Sequence, residues 1–309
     1  MPAAPPLSAA APARPRAPRA GALVRALRPH QWVKNGLVFL PALLAHRLAA
    51  PGVLSAAVLA FVAFSLVASA TYLVNDVVDR ARDRRHPHKR HRPFASGALP
   101  PAAGCALAPV LAAAGGALAW WTLPAGFAGI LGTYAVVGLA YSLRLKRVAA
   151  LDVVVLAGLY VLRVLAGGEA TGVAVSEWLL VFSLFLFLGL AVLKRYAELR
   201  LLETLPDARD NGRGYTVDDL AMLRGIGPST GFLAVLVLAL YLSSPEVQLL
   251  YGEPFRLWAV APLLIFWTMH LWLAAHRGRL DTDPLVFTAR DPTSWGVLAL
   301  VALVVLLAR

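Results

Sequence analysis

Cysteine occurs once in the 309 residues, at Cys105, which excludes an internal disulfide framework. Acidic side chains are also scarce: 17 Asp and Glu stand against 29 Lys and Arg, for a formal net charge of +12. No polar stretch is long enough to form a soluble basic domain. The positive excess therefore points away from nucleic acid and toward anionic lipid headgroups and phosphorylated substrates. Residues 1–22 lack any continuous apolar run. Made largely of Pro, Ala and Arg, they are expected to form a disordered basic arm and not a signal peptide. His30, His46, His270 and His276 show no metal-ligand spacing, and no Ser-His-Asp arrangement is evident.

What the chain has in abundance is apolar sequence, with 59% hydrophobic residues and a mean hydropathy of +0.67. This composition belongs to a polytopic membrane protein, so residues 23–309 are expected to be one all-α integral membrane domain. Nine hydrophobic segments can be marked, near 33–50, 53–75, 103–121, 124–143, 149–168, 177–194, 227–244, 256–275 and 293–308. Of the 29 basic residues, 25 fall in the N-terminal approach or in alternate loops, on one side of these segments. By the positive-inside rule that side is cytoplasmic, and so is the N-terminus. Trp120 and Trp121 are expected at the opposite membrane interface, and Cys105 is expected simply to pack.

The chemistry concentrates between Asn75 and Pro93, in NDVVDRARDRRHPHKRHRP. On a continuous helix Asp79 and Asp83 fall within about 60° of Asp76, so three carboxylates share a face. Like charges that close are tolerated when a divalent cation sits among them, and Mg²⁺ binds one or two carboxylates while sharing substrate phosphates. The basic run that follows, with Lys89, Arg90 and Arg92, suits phosphate oxygens. Together they read as a Mg²⁺-polyphosphate clamp. A solvated charged face at a membrane edge is the plainer alternative.

Asn75, Asp76, Asp79 and Asp83, as NDxxDxxxD, closely resemble the first aspartate-rich motif of the UbiA superfamily of intramembrane prenyltransferases. Further segments are similar to one branch, the decaprenyl-phosphate phosphoribosyltransferases: LRPHQWVKN (27–35), HPxKRxRP (86–93), YSLRLKRVAALD (141–152), LRVLAGGEATGV (162–173) and LKRYAELR (193–200). The resemblance implies a UbiA-type helical bundle. It also implies Mg²⁺-dependent transfer of 5-phosphoribosyl from phosphoribosyl pyrophosphate to a polyprenyl (decaprenyl) phosphate, for cell-wall arabinan synthesis, at the cytoplasmic face of a bacterial plasma membrane.

One departure bears on the substrate. Superfamily enzymes that use a prenyl diphosphate usually carry a second DxxxD motif after the sixth helix, where this chain has KRYAE with Lys194, Arg195, Tyr196 and Glu198. Asp207 and Asp210, further along, are a partial substitute. The change favours an anionic acceptor over the rival reaction, transfer of a prenyl group to an aromatic or quinone-precursor acceptor. On this reading Asp76, Asp79 and Asp83 hold Mg²⁺, while Asn75, Lys89, Arg90, Arg92 and Asp152 bind the donor. The lipid phosphate is met by Lys194, Arg195 and Arg200, with Lys34, Arg144, Lys146 and Tyr196 as further candidates. Arg163, at membrane depth, either lines a cavity or snorkels toward Glu169. The oligomeric state, a homo-oligomer included, is left open.

Overall fold

A computed structural model of the chain describes residues 20–85, 89–203, 213–280 and 283–309. Residues 1–19 of the expected arm, His86, Asp207 and Asp210 lie outside the described residues, while residues 20–22 of that arm are not disordered but open the short helix Ala20–Leu27. Eight long helices carry the fold: α1 (Val53–Val78), α2 (Pro101–Thr122), α3 (Ala125–Leu143), α4 (Leu151–Thr171), α5 (Glu177–Glu203), α6 (Leu220–Leu242), α7 (Val260–His276) and α8 (Pro292–Ala308). No β-strand occurs among the described residues. Seven helices are long and apolar enough to cross a membrane, α6 and α7 with 3₁₀ lead-ins that extend them to Val217–Leu242 and Pro254–His276. The seventeen-residue α8 is shorter but equally apolar.

The first hydrophobic segment departs from expectation. It is an eleven-residue 3₁₀ helix, Pro29–Phe39, followed by the short α-helix Leu40–Leu44. Runs of 3₁₀ beyond three or four residues are uncommon. Here the tertiary contacts account for it, because the polar side chains of this stretch bond inward to other helices. Trp32 Nε1 donates to Ser69 Oγ (3.0 Å) and Asn35 Nδ2 to Ser65 Oγ (3.1 Å), pinning the segment along α1. On its other side lies Gly167 of α4, where a Cβ would collide with the Val38 carbonyl.

Helices α1 and α2 pack together, as do α5 and α6, with α4 between α3 and α5. Small residues allow these approaches: Ala57, Ala60 and Ala63 on α1 are fully buried, and Gly115 of α2 meets the Ala63 carbonyl. Close packing of small residues is how helices associate where lipid removes the hydrophobic drive between them. The outer faces remain apolar, with Leu298, Leu303 and Leu306 of α8 exposed. Trp120 and Trp121 project from the end of α2, 73% and 79% exposed, as an interfacial pair would. Cys105, expected to pack, is instead on the exposed face of α2.

Candidate active site

The N-terminal segment, the end of α1, the loop after it, the ends of α3, α5 and α7 and the residues after Asp283 enclose one cavity of about 1030 Å³. Ten Lys and Arg line it against three Asp and Glu. Lys89, Arg92, Arg213 and Arg277 reach it from loops expected on one membrane side, while Tyr72, Tyr134, Leu159, Tyr160 and Arg163 line it from within the helices.

Asp76, 1% exposed, lines this cavity and accepts from Arg28 Nη2 (2.5 Å), Arg28 Nε (3.0 Å) and Arg92 Nη1 (3.2 Å). The same Arg92 nitrogen lies 2.7 Å from Asp83 Oδ2. Asn75 Oδ1 and Asp79 Oδ2 converge instead on Lys146 Nζ, at 2.9 and 2.7 Å. Asp79 also faces Arg82 at 3.7 Å. The motif thus folds into two oxygen pairs, each arranged around one cationic nitrogen.

The expected single cluster of three carboxylates does not form. Among the described residues no three His, Cys, Asp or Glu side chains group closely enough to share one metal ion. The reason is local: α1 stops at Val78 and Asp79 takes ψ 0°, which interrupts the helix before Arg80–Asp83 resumes it. The 100° spacing that united the carboxylates assumed an unbroken helix. Each pair remains an all-oxygen donor set of the kind Mg²⁺ prefers, and each already accommodates a cation. The residues therefore fit Mg²⁺ as pairs, Asp76 with Asp83 and Asn75 with Asp79.

Burial shifts the surrounding groups. It lowers the Lys146 ammonium to about 8, with the Asp79 hydrogen bond opposing the shift. It also raises the Asp83 carboxyl, against the pull of Arg92, and lowers Arg92 and Lys89.

At the cavity's other side Asp283 Oδ2 accepts from Lys34 Nζ (2.7 Å) and Lys194 Nζ (2.8 Å). Burial would raise this carboxyl, but Lys194 and Lys34 outweigh it and hold it well below the ordinary carboxylate range. Lys89 lines the cavity and reaches within 3.7 Å of Glu198, linking the first charged loop to the end of α5. Arg200 lines it too and pairs with Glu203.

Other expected site residues stand behind this wall. Arg195 and Asp152 are both fully buried and hold each other at 2.5 Å. Arg195 also donates to Glu198 (2.5 Å) and Tyr141 (2.8 Å), and Asp152 accepts from the Tyr215 hydroxyl (2.7 Å). The Tyr196 hydroxyl lies 3.0 Å from His276 Nδ1. Arg90 and Arg144 are exposed, and neither lines the cavity. Arg163 is a cavity-lining residue that does not reach Glu169: it donates to Asn35 Oδ1 (2.9 Å), Tyr134 OH (2.9 Å) and the Leu159 carbonyl, against the ring of Tyr134.

Sequence reasoning missed Arg28 and Asp283. Arg28 lies within the LRPHQWVKN segment, directly precedes a proline and sits in the left-handed region (φ 54°, ψ 55°), which no local pattern marks. Asp283 is 249 residues from Lys34, with no local pattern to mark it.

The chain is 39% identical over 279 residues to the uncharacterized protein y4nM of Sinorhizobium fredii, covering 89% of this chain and 54% of that one. It therefore spans about half the length of that relative. It is 38% identical over 272 residues to nodulation protein NoeC of Azorhizobium caulinodans, covering 87% of each. It is 42% identical over 190 residues to the decaprenyl-phosphate phosphoribosyltransferase of Mycolicibacterium smegmatis, covering 59% of this chain and 58% of that one. Among solved structures, the Archaeoglobus fulgidus UbiA homolog bound to DMAPP and Mg²⁺ superimposes with a TM-score of 0.69, covering 91% of this chain and 98% of that one. At 19% identity that likeness is one of fold. Residues 38–290 match the model of the UbiA prenyltransferase family, and with these relatives and this bundle the chain belongs to that family.

Proposed function

We propose that the protein transfers 5-phosphoribosyl from phosphoribosyl pyrophosphate to a polyprenyl phosphate. The observation that carries this reading is the charge of the chamber, lined by ten cationic and three acidic side chains, with Asn75 and Asp76 of the single aspartate-rich motif in the lining and Asp79 and Asp83 outside it on Lys146 and Arg92. Such a lining suits two anionic substrates better than one diphosphate and a neutral aromatic acceptor. The partial-length relatives named decaprenyl-phosphate phosphoribosyltransferase support it. The NoeC and y4nM relatives match more of the chain, so the proposal concerns the reaction and not its downstream product.

Asp76 with Asp83, and Asn75 with Asp79, would hold Mg²⁺, which when bound neutralises charge on the departing pyrophosphate. Arg28, Arg92 and Lys89 bind the donor's phosphates and orient the ribose. The lipid phosphate oxygen attacks the anomeric carbon, forming the new C–O bond as the bond to pyrophosphate breaks, with inversion. The nucleophile is already an anion, so no general base is needed. Arg195 and Asp152 hold the wall from behind. Because phosphoribosyl pyrophosphate is a cytoplasmic metabolite, the chamber opens on the cytoplasmic side of the plasma membrane.

The test is purified protein in detergent with Mg²⁺, labelled phosphoribosyl pyrophosphate and polyprenyl phosphate, followed by organic extraction. Label should enter the organic phase. Label retained in water, beside an active positive-control enzyme, would refute the reading.

A further inference from the structure

Asp283 takes no part in the donor clamp, yet it is 8% exposed and faces the same chamber. One of its oxygens, Oδ2, accepts from both Lys34 and Lys194, so two ammonium groups from the N-terminal segment and α5 are drawn to one point. Its other oxygen accepts from the Leu285 amide (3.3 Å) and caps the short helix Pro284–Thr288, which fixes the carboxylate's direction. Holding a lysine side chain costs rotamer entropy, and two ammoniums side by side repel. A shared carboxylate offsets both costs and leaves the trio with a net positive charge. Each ammonium has three N–H donors and spends one on Asp283.

Resting on the proposed reaction, we infer that Asp283 is a positioning residue that holds Lys34 and Lys194 as a subsite for a phosphate monoester. Two substrates of that reaction carry such a group, the polyprenyl phosphate and, at ribose C5, the donor. The surroundings favour the lipid. Leu190 and Ala191 precede Lys194 by about one turn, Leu285 follows Asp283, and all three line the chamber, giving an apolar flank beside the ammonium pair.

The test measures binding of farnesyl phosphate and of ribose 5-phosphate to the full-length protein in detergent micelles, for wild type, Asp283→Asn and Asp283→Ala. Melting temperatures without ligand are recorded beside them. Asp283→Asn keeps an acceptor for the cap while removing the charge, and so separates the subsite from folding. We expect the Kd for farnesyl phosphate to rise at least about tenfold in Asp283→Asn, with ribose 5-phosphate unaffected. In turnover the KM for the lipid should rise while kcat and the donor KM hold. The reverse ligand pattern would support the subsite and assign it to the donor. Unchanged binding of both ligands, or equal loss of both, would overturn it. The two readings fail separately: a wild type that binds farnesyl phosphate but transfers no ribosyl group refutes the reaction alone. Full turnover in Asp283→Asn with an unchanged lipid KM refutes the subsite alone.

Discussion

Lys146 donates to Asp79 at 2.7 Å across 67 residues of sequence, and its ammonium has no exposed surface. Because burial lowers this lysine to about 8 in the folded protein while the unfolded chain titrates near 10.5, the unfolded state binds more protons between those values. This group therefore adds stability as pH rises from about 8 to 10.5. Melting temperatures in detergent, compared between wild type and Lys146→Met, should show the wild type gaining on the variant across that window. Parallel profiles would contradict it.

Arg28 offers a way to separate backbone strain from charge. Its left-handed conformation suits glycine, while its guanidinium holds Asp76. Arg28→Gly relieves the backbone but leaves the buried Asp76 with Arg92 as its remaining guanidinium partner, so a stability loss of no more than roughly 1–3 kcal/mol is expected on melting. Its kcat/KM should nevertheless fall at least about tenfold, from loss of charge-assisted hydrogen bonds at the clamp.

Arg195 is expected to act through stability and not through the lipid KM. Arg195→Ala leaves the fully buried Asp152 without its cation and takes one from the cavity-lining Glu198, a loss of roughly 3–5 kcal/mol. Arg195→Lys should not restore it, because a single ammonium nitrogen cannot occupy the separate positions from which Nε, Nη1 and Nη2 of the planar guanidinium meet Asp152, Glu198 and Tyr141. Denaturation in mixed micelles measures both variants, and wild-type stability in Arg195→Ala would mean the network is not structural.

Gly167 sets how closely α4 approaches the 3₁₀ segment that carries Lys34 and Asn35. Gly167→Ala should cost about 1–3 kcal/mol and reduce turnover, since the Val38 backbone must move. Gly158, on the same helix with open space around it, is the control: Gly158→Ala should be neutral or stabilising by up to about 1 kcal/mol.

Much of the bundle was legible in the chain because a membrane helix announces itself through composition over a long window. Eight of the nine expected segments coincide with helices to within a few residues, apart from α6, which starts at Leu220, and α5, which runs on to Glu203. The exception, 33–50, failed for the same reason: hydropathy reads apolar length and is blind to inward polar bonds such as those of Trp32 and Asn35.

By itself the sequence determined an all-helical membrane chain, its charged loops, and the aspartate-rich motif with the cations that serve it. Those properties are local, carried by residues a few positions apart. Only the tertiary structure decided how the charges combine. It divided the motif into two oxygen pairs, withdrew Arg195 and Asp152 behind the wall and brought Asp283 to Lys34 and Lys194. An ion pair is set by distance in space, and residues as far apart as Lys34 and Asp283 meet only once the helices have packed.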